Sequence, residues 1–227
     1  MAIQVTTLFI CDAQGHLVRV NESGGEPADR FFLGRTRSGN LWRWRHDLLP
    51  GLARELERLA CTEPVTADFA SEPAIAEAVR ALLRQHAPIE GEWRGPAYYV
   101  PDGVRPPPAI RVVAVTDANA AVLRMGFPYL FTHLREVQPC VAVLEQGSAV
   151  SVCFSARTSS HAAEAGVETL EPFRGKGYGS AVVAGWASAV RGRGKLPLYS
   201  TSWDNAASQG LARKLGLVLY GEDFHIS

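Results

Sequence analysis

The chain has 227 residues, and 47% of them are hydrophobic. A chain of this length and composition can bury a sizeable core and form one large domain or two small ones. Because 23 Lys and Arg residues balance 23 Asp and Glu residues, the formal net charge is zero. This balance excludes a general electrostatic attraction to nucleic acid or to an anionic membrane, so any charged ligand must be recognised by a local group of residues.

No stretch approaches the roughly 20 apolar residues that a transmembrane helix needs. The first residues lack a basic start, and Asp12 interrupts their apolar run, so they do not resemble a signal peptide. We therefore expect a cytoplasmic protein. The four cysteines are far apart and lack metal-ligand spacing, which predicts buried, reduced thiols and no metal site; they are Cys11, Cys61, Cys140 and Cys153.

The first hundred residues predict strands followed by helices. Apolar or alternating runs between turn residues predict four strands, over Ile3–Ile10, His16–Val20, Phe31–Arg37 and Leu41–Arg45. Apolar residues at helical spacing then predict two helices, over Pro50–Ala60 and Ala74–His86.

The segment Val100–Pro108 contains three successive prolines, which continue neither a helix nor a central strand. We place a boundary there, between an N-terminal α+β region over residues 1–105 and a second domain over residues 106–227.

Beyond the prolines, strands and helices alternate. The expected strands are Ile110–Val115, a hairpin of Cys140–Leu144 and Val150–Ser155, then Ala163–Leu170, Leu196–Thr201 and Leu217–His225. The expected helices run from Thr116 to about Met125, then less regularly to Glu136, and over Tyr178–Val190 and Asn205–Leu215. This order predicts a mixed sheet with helices on both faces.

A glycine-rich turn joins one of these strands to the next helix, with glycines at 175, 177 and 179. Glycines let successive backbone amides converge on an anion, and the helix N-terminus adds partial positive charge. The dinucleotide fingerprint fails because Ser180 replaces its third glycine, and a P-loop fails because no Gly-Lys precedes Ser or Thr. The remaining pattern is R-x-x-G-x-G, beginning at Arg174. A turn that binds nothing is the alternative.

A second motif follows in the segment 199–217, where a strand leads into a helix that begins at Asn205 and ends before Gly216. The two motifs together resemble the GNAT superfamily of acyl-CoA-dependent N-acetyltransferases. The resemblance spans about residues 110–226 and is specific over 166–217. It implies a twisted mixed sheet and a bound acetyl-CoA (coenzyme A), while the same capping residues could serve the helix alone.

The resemblance also implies roles for individual residues. The candidate cofactor-binding residues are Val167, Thr169, Leu170, Arg174, Gly175, Lys176, Gly177, Tyr178, Gly179, Ser180, Asn205 and Ser208. A general base must take a proton from the amine, and Glu168 is the first candidate and Glu164 the second. Many members carry a Tyr as general acid where this chain has Ala212, so Tyr220, Tyr199 or Ser208 would have to replace it.

These residues predict transfer of an acetyl group from acetyl-CoA to a primary amine of an unidentified acceptor, by a protein that could be a homodimer. Because Ala212 replaces the usual acid, a non-catalytic acyl-CoA-binding or regulatory module is the alternative. The run Arg35–His46 interleaves aromatic and basic residues, as in a nucleic-acid platform. The neutral overall charge makes a half-buried strand with a charged face the better interpretation.

Overall fold

The computed structural model describes all residues from 1 to 227. The helices are α1 (Ala2–Leu8), α2 (Pro50–Ala60), α3 (Ala76–Arg84), α4 (Pro128–His133), α5 (Tyr178–Arg191) and α6 (Ala206–Lys214). The strands are β1 (Phe9–Cys11), β2 (Leu17–Val20), β3 (Phe31–Thr36), β4 (Gly39–Trp44), β5 (Glu92–Tyr99), β6 (Val112–Val115), β7 (Cys140–Glu145), β8 (Ser148–Thr158), β9 (Ala162–Thr169), β10 (Leu196–Ser200) and β11 (Val218–Ile226). Two 3₁₀ helices cover Ala120–Leu123 and Glu171–Phe173. None of the helices combines the length and apolarity needed to span a membrane.

The first of two compact units comprises Met1–Tyr98, Ser200–Ala206 and Leu219–Ser227. Its strands lie in the order β4–β3–β11–β5, with β3 antiparallel to both β4 and β11, and β1 pairs separately with β2. Apolar side chains of α2 and α3 pack with those of β3 and β11 in one buried cluster. The helical spacing of these side chains explains why both helices could be predicted from the sequence.

The second unit comprises Tyr99–Tyr199 and Ala207–Val218. Its strands lie in the order β10–β9–β8–β7–β6; β10 is parallel to β9, and the other neighbours are antiparallel. Phe154 of β8 packs in a cluster with Leu130 of α4, whereas the next residue, Ser155, accepts a 3.1 Å hydrogen bond from Trp186 of α5. Successive strand residues face opposite sides, so the predicted mixed α+β fold with helices on both faces is confirmed.

The predicted strand Ile3–Ile10 is wrong, because Ala2–Leu8 is helical and only Phe9–Cys11 is extended. Its β-branched residues favour a strand. However, Val5 and Leu8 are buried on one helical face, and the Thr7 hydroxyl donates to the carbonyl of Ile3 at 2.7 Å. Packing and this local bond therefore outweigh intrinsic propensity.

Strand β5 was not predicted, because Gly95-Pro96 in its centre is typical of a turn. In this structure Gly95 is needed for another reason than a turn. A Cβ on Gly95 would lie 1.8 Å from the carbonyl oxygen of Thr201, so the absent side chain permits a close approach of two backbone segments.

One predicted helix and two of the four cysteines also differ from expectation. The expected helix from Thr116 to Met125 is only the 3₁₀ turn Ala120–Leu123. Of the four cysteines expected to be buried, Cys61 is exposed and Cys11 is half-buried. All four thiols are free. The division of the chain at residues 105 and 106 stays a prediction.

Candidate active site

The glycine-rich turn lies between β9 and α5, as expected from the sequence. Gly175 and Gly177 have φ of +78° and +82°, a conformation that other residues adopt only with strain. Gly177 is the N-cap of α5, and its carbonyl accepts the first helical bond, from Ala181, at 3.1 Å. The amides of the first turn have no acceptor inside the helix, so they are available to an anion.

The two cations predicted from the motif are engaged locally. Arg174 Nε donates to the carbonyl of Thr169 at 3.2 Å, and the Lys176 ammonium lies 4.9 Å from the centroid of the Phe173 ring. Both side chains belong to exposed residues, so they line the outside of the turn.

Lys214, at the end of α6, is a third cation that sequence reasoning missed. Its Nζ lies 3.8 Å from the position that a Cβ on Gly177 would occupy, and it forms no ion pair. The Arg-Lys-Leu-Gly ending of α6 indicates a helix terminus, but only the placement of α6 brings this ammonium to the start of α5.

Tyr178 connects the start of α5 to the β7–β8 hairpin. Its hydroxyl donates a hydrogen bond to Glu145, and this bond raises the pKa of the hydroxyl. Ser180, also a predicted contact residue, is buried within the first turn. A Cβ on Gly179 would lie 3.1 Å from Leu211, so this glycine permits close packing of α5 against α6.

Strands β9 and β10 separate before the glycine-rich turn. Their parallel register contains only three pairs, of which Leu198↔Glu164 is the last, while β9 continues to Thr169. Beyond Glu164 the β10 side of β9 therefore has no strand partner, so alternate backbone groups there are open to a ligand. Val167, Thr169 and Leu170, predicted to contact the cofactor, lie on or directly after this segment.

Hydrogen bonds to β8 hold the end of β9 in place. The hydroxyls of Thr169 and Ser151 are 2.8 Å apart, and the amide of Leu170 donates to the carbonyl of Val150 at 2.9 Å. Ser151 is fully buried. The open edge of β9 is thus held by the strand behind it.

The two candidate bases have different environments. Glu164 is 5% exposed and lies where the strands separate. Glu168 is exposed and accepts a hydrogen bond from the Tyr129 hydroxyl of α4. Burial, and then this bond, raises the pKa of Tyr129. Four strand residues span about 13 Å, so only one of the two carboxylates can lie beside a given amine.

Asn205 and Ser208 were predicted to contact the cofactor from the last helix. Asn205 directly precedes α6 and is exposed, whereas Ser208 is half-buried in the first turn. The Ser208 hydroxyl is hydrogen-bonded to the hydroxyl of Tyr199 on β10. The family resemblance suggests both hydroxyls as substitute acids, but no sequence pattern indicates that they form a pair.

Ala212 lies one helical turn after Ser208 and is fully buried. Because this residue is an alanine, the position offers no hydroxyl. Its backbone carbonyl accepts a hydrogen bond from the Leu217 amide at 3.0 Å. Tyr220, another possible substitute acid, donates its hydroxyl proton to Gln4. No group of three or more His, Cys, Asp or Glu residues could hold a metal ion.

The segment around the glycine-rich turn is similar to known proteins. Residues 139–222 match the family described as GNAT acetyltransferase. No curated protein matches the chain. Among solved structures, a GNAT-family acetyltransferase described as putative, from Novosphingobium aromaticivorans, is 17% identical, with 61% of this chain and 66% of that chain covered and a TM-score of 0.49.

Two further structures are similar at the same identity. A GCN5-related N-acetyltransferase-like protein from Streptococcus suis is 17% identical, with 89% and 85% of the two chains covered and a TM-score of 0.48. The protein yncA from Salmonella typhimurium, solved with acetyl-CoA, is also 17% identical, with 52% and 93% covered and a TM-score of 0.40. Likeness at this level does not assign a substrate to this chain. The part of the chain that matches the GNAT acetyltransferase family is therefore residues 139–222, which contain the glycine-rich turn and strands β9 and β10.

Proposed function

We propose that this chain is an N-acetyltransferase that transfers an acetyl group from acetyl-CoA to the primary amine of an acceptor. The observation that carries the proposal is the combination of a glycine-rich turn at the start of α5 with an open edge on β9. Both lie within residues 139–222, the segment that matches the family.

The residues around the turn fit the diphosphate of coenzyme A. A Cβ on Gly175 would meet nothing within 4 Å, so the outside of the turn is open. The amides at the start of α5 and the Lys214 ammonium are suited to an anion. The open edge of β9 offers backbone donors and acceptors to an amide-containing arm.

Acetyl-CoA, when bound, supplies an activated acetyl thioester. The acceptor must provide a neutral amine, although an amine with a pKa near 10.4 is mostly protonated at neutral pH. We assign removal of this proton to Glu168, with Glu164 as the alternative. The Tyr129 hydroxyl holds the Glu168 carboxylate in position, so Tyr129 acts as a positioning residue for this base.

The leaving thiolate needs a proton that Ala212 cannot supply. The Ser208 and Tyr199 hydroxyls are hydrogen-bonded to each other. Ser208 lies one helical turn before Ala212, on the same face of α6. We assign protonation of the thiolate to this pair, with Ser208 facing the ligand because it is the more exposed of the two.

Two measurements test the proposal. Calorimetric titration with acetyl-CoA should show saturable binding, and a thiol-release assay over a panel of primary amines should show turnover with at least one of them. Glu168→Gln should lower kcat by about 10²-fold or more, the usual contribution of a general base, while leaving acetyl-CoA affinity unchanged.

Glu164→Gln is the matched comparison, because it makes the same chemical change four residues away on the same strand. Loss of kcat in this variant alone would move the base to Glu164, and full activity in both variants would exclude both residues. If acetyl-CoA does not bind, the proposed function is wrong.

A non-catalytic acyl-CoA-binding module is the second candidate function, favoured by the buried Ala212 in place of a hydroxyl. Binding of acetyl-CoA without turnover of any amine in the panel would support it. The acetyl group would then remain on the coenzyme, which mass spectrometry of the recovered ligand can establish.

A further inference from the structure

A cleft in the first unit lies among residues that the GNAT resemblance does not cover. It has a volume of about 320 Å³ and is lined by residues of the 12–16 turn, β4 and α2. This volume lies at the lower end of the range for small-molecule sites. We call it the Trp42–Trp44 cleft, and the residues that matter for its chemistry are His16, Trp42, Arg43, Trp44 and Glu57.

Two indoles form the apolar part of the cleft. Trp42 and Trp44 are half-buried on β4, an edge strand, and pack against the core formed by α2 and α3. The His16 ring lies 5.5 Å from the Trp44 ring, centroid to centroid, with a tilt of 35°. Asp12 fixes His16, because its carboxylate accepts from the backbone amide at 2.8 Å and lies 3.0 Å from Nδ1. The aromatic wall is therefore held in place before any ligand arrives.

One cation and one anion of the cleft have no ionic partner in the protein. The half-buried Arg43 guanidinium makes one hydrogen bond, of 2.8 Å, to the carbonyl of Trp42. Glu57 makes no side-chain hydrogen bond or ion pair. Nearby charged side chains, in contrast, form ion pairs: Arg45 pairs with Asp47 at 2.7 Å, and Arg58 pairs with Glu55 at 2.9 Å.

We propose that the Trp42–Trp44 cleft binds a free amino acid with an aromatic or large apolar side chain. The α-carboxylate would pair with Arg43, the α-ammonium with Glu57, and the side chain would pack on the indoles. A zwitterion satisfies both unpaired charges at once, and charge-assisted hydrogen bonds are the stronger ones. A nucleotide or RNA would instead place several phosphates near one arginine and a carboxylate, which disfavours it.

The first test compares three ligands on the wild-type chain by calorimetry and by tryptophan fluorescence. L-Phenylalanine carries both charges, 3-phenylpropanoate lacks the ammonium, and 2-phenylethylamine lacks the carboxylate. We expect L-phenylalanine to bind, and each analogue to bind about tenfold more weakly, which corresponds to about 1.4 kcal/mol. Equal affinity for all three ligands, or no saturable binding of L-phenylalanine, would overturn the proposal.

Two variants then assign the charges. Glu57→Gln should bind L-phenylalanine only as well as 3-phenylpropanoate, and Arg43→Gln only as well as 2-phenylethylamine. Glu55→Gln is the matched control, because Glu55 is exposed on the same helix and lies outside the cleft, and it should bind like wild type. If Arg43→Gln does not fold, the ligand series on wild type and Glu57→Gln still decides the question.

The Trp42–Trp44 cleft lies in the first unit, whereas the glycine-rich turn lies in the second. L-Phenylalanine binding should therefore persist unchanged in Gly177→Val, a variant that we expect to bind acetyl-CoA about tenfold more weakly than wild type. Arg43-dependent binding of an oligouridylate in place of L-phenylalanine would replace the amino-acid assignment with a nucleic-acid one.

Discussion

At the scale of single residues, Gly177 combines a positive φ with the N-cap position of α5. A β-branched residue there would be strained, and a Cβ would approach Ile110 and Lys214 within 3.6 and 3.8 Å. We expect Gly177→Val to lower acetyl-CoA affinity by about tenfold or more, because the amides at the start of α5 must move.

Gly103→Val is the control for this substitution. Gly103 also has a positive φ, of +91°, but a Cβ there meets nothing within 4 Å. The Gly103→Val substitution should introduce similar backbone strain and leave the calorimetric acetyl-CoA affinity unchanged. Equal losses of affinity in the two variants would mean that general destabilisation, rather than the turn, is responsible.

Lys214 provides a second prediction at this scale. Its ammonium lies beside Gly177, whereas that of Lys176 lies over the Phe173 ring. We expect Lys214→Gln to weaken acetyl-CoA binding by several-fold at low salt, and the difference from wild type to shrink as salt rises. Lys176→Gln, the same chemical change, should have the smaller effect in parallel titrations; the reverse order would show that the motif cation binds the diphosphate.

At the scale of elements, strand β5 depends on the absence of a side chain at Gly95. A Cβ would lie 1.8 Å from the Thr201 carbonyl oxygen and 2.9 Å from the Ser202 Cα, and backbone atoms cannot swing away as a flexible side chain can. We expect Gly95→Ala to lower the free energy of unfolding by about 2–4 kcal/mol. Urea unfolding followed by circular dichroism measures this loss.

Gly51→Ala is the matched control. Gly51 lies in α2, and a Cβ there meets nothing within 4 Å. Alanine has the higher helix propensity, so this variant should be unchanged or more stable by up to about 1 kcal/mol. A stability of Gly95→Ala equal to that of Gly51→Ala would contradict the close approach.

The elements differ in how well the sequence predicts them, and the reason is local. Helix α5 and the turn before it follow from residues adjacent in sequence, so glycine spacing and apolar periodicity were sufficient. Helix α1 and strand β5 depend on partners far along the chain. Gln4 of α1, for instance, donates to Asp223 at 2.9 Å, and no pattern in the first ten residues indicates that partner.

The candidate site divides in the same way. The glycines and Ser208 follow from motifs that are continuous stretches of sequence, and Glu168 follows from the family resemblance of the strand before the turn. The Tyr129–Glu168 and Tyr199–Ser208 pairs and the position of Lys214 join separate elements. Only the packing of those elements brings such groups together.

At the scale of the whole molecule, the four thiols differ in how far the folded chain must open before a thiol reagent can reach them. Cys61 is exposed, Cys11 is half-buried, and Cys140 and Cys153 are buried on adjacent strands. Burial raises the pKa of Cys140 to about 12 and that of Cys153 well above its usual value. Because the thiolate is the reactive form, we expect Ellman's reagent at pH 8 to modify Cys61 first, then Cys11.

Cys140 and Cys153 should react only when the second unit opens. A ligand that binds the folded unit alone makes this opening rarer by the factor 1 + [L]/Kd, about 100-fold at 100 times Kd. Acetyl-CoA should therefore slow labelling of Cys153 by about this factor and leave labelling of Cys61 unchanged, as followed by mass spectrometry. Gly177→Val should lose most of the protection. Labelling of Cys153 as fast as that of Cys61 would contradict the buried position, and protection of Cys61 instead would place the coenzyme on the first unit.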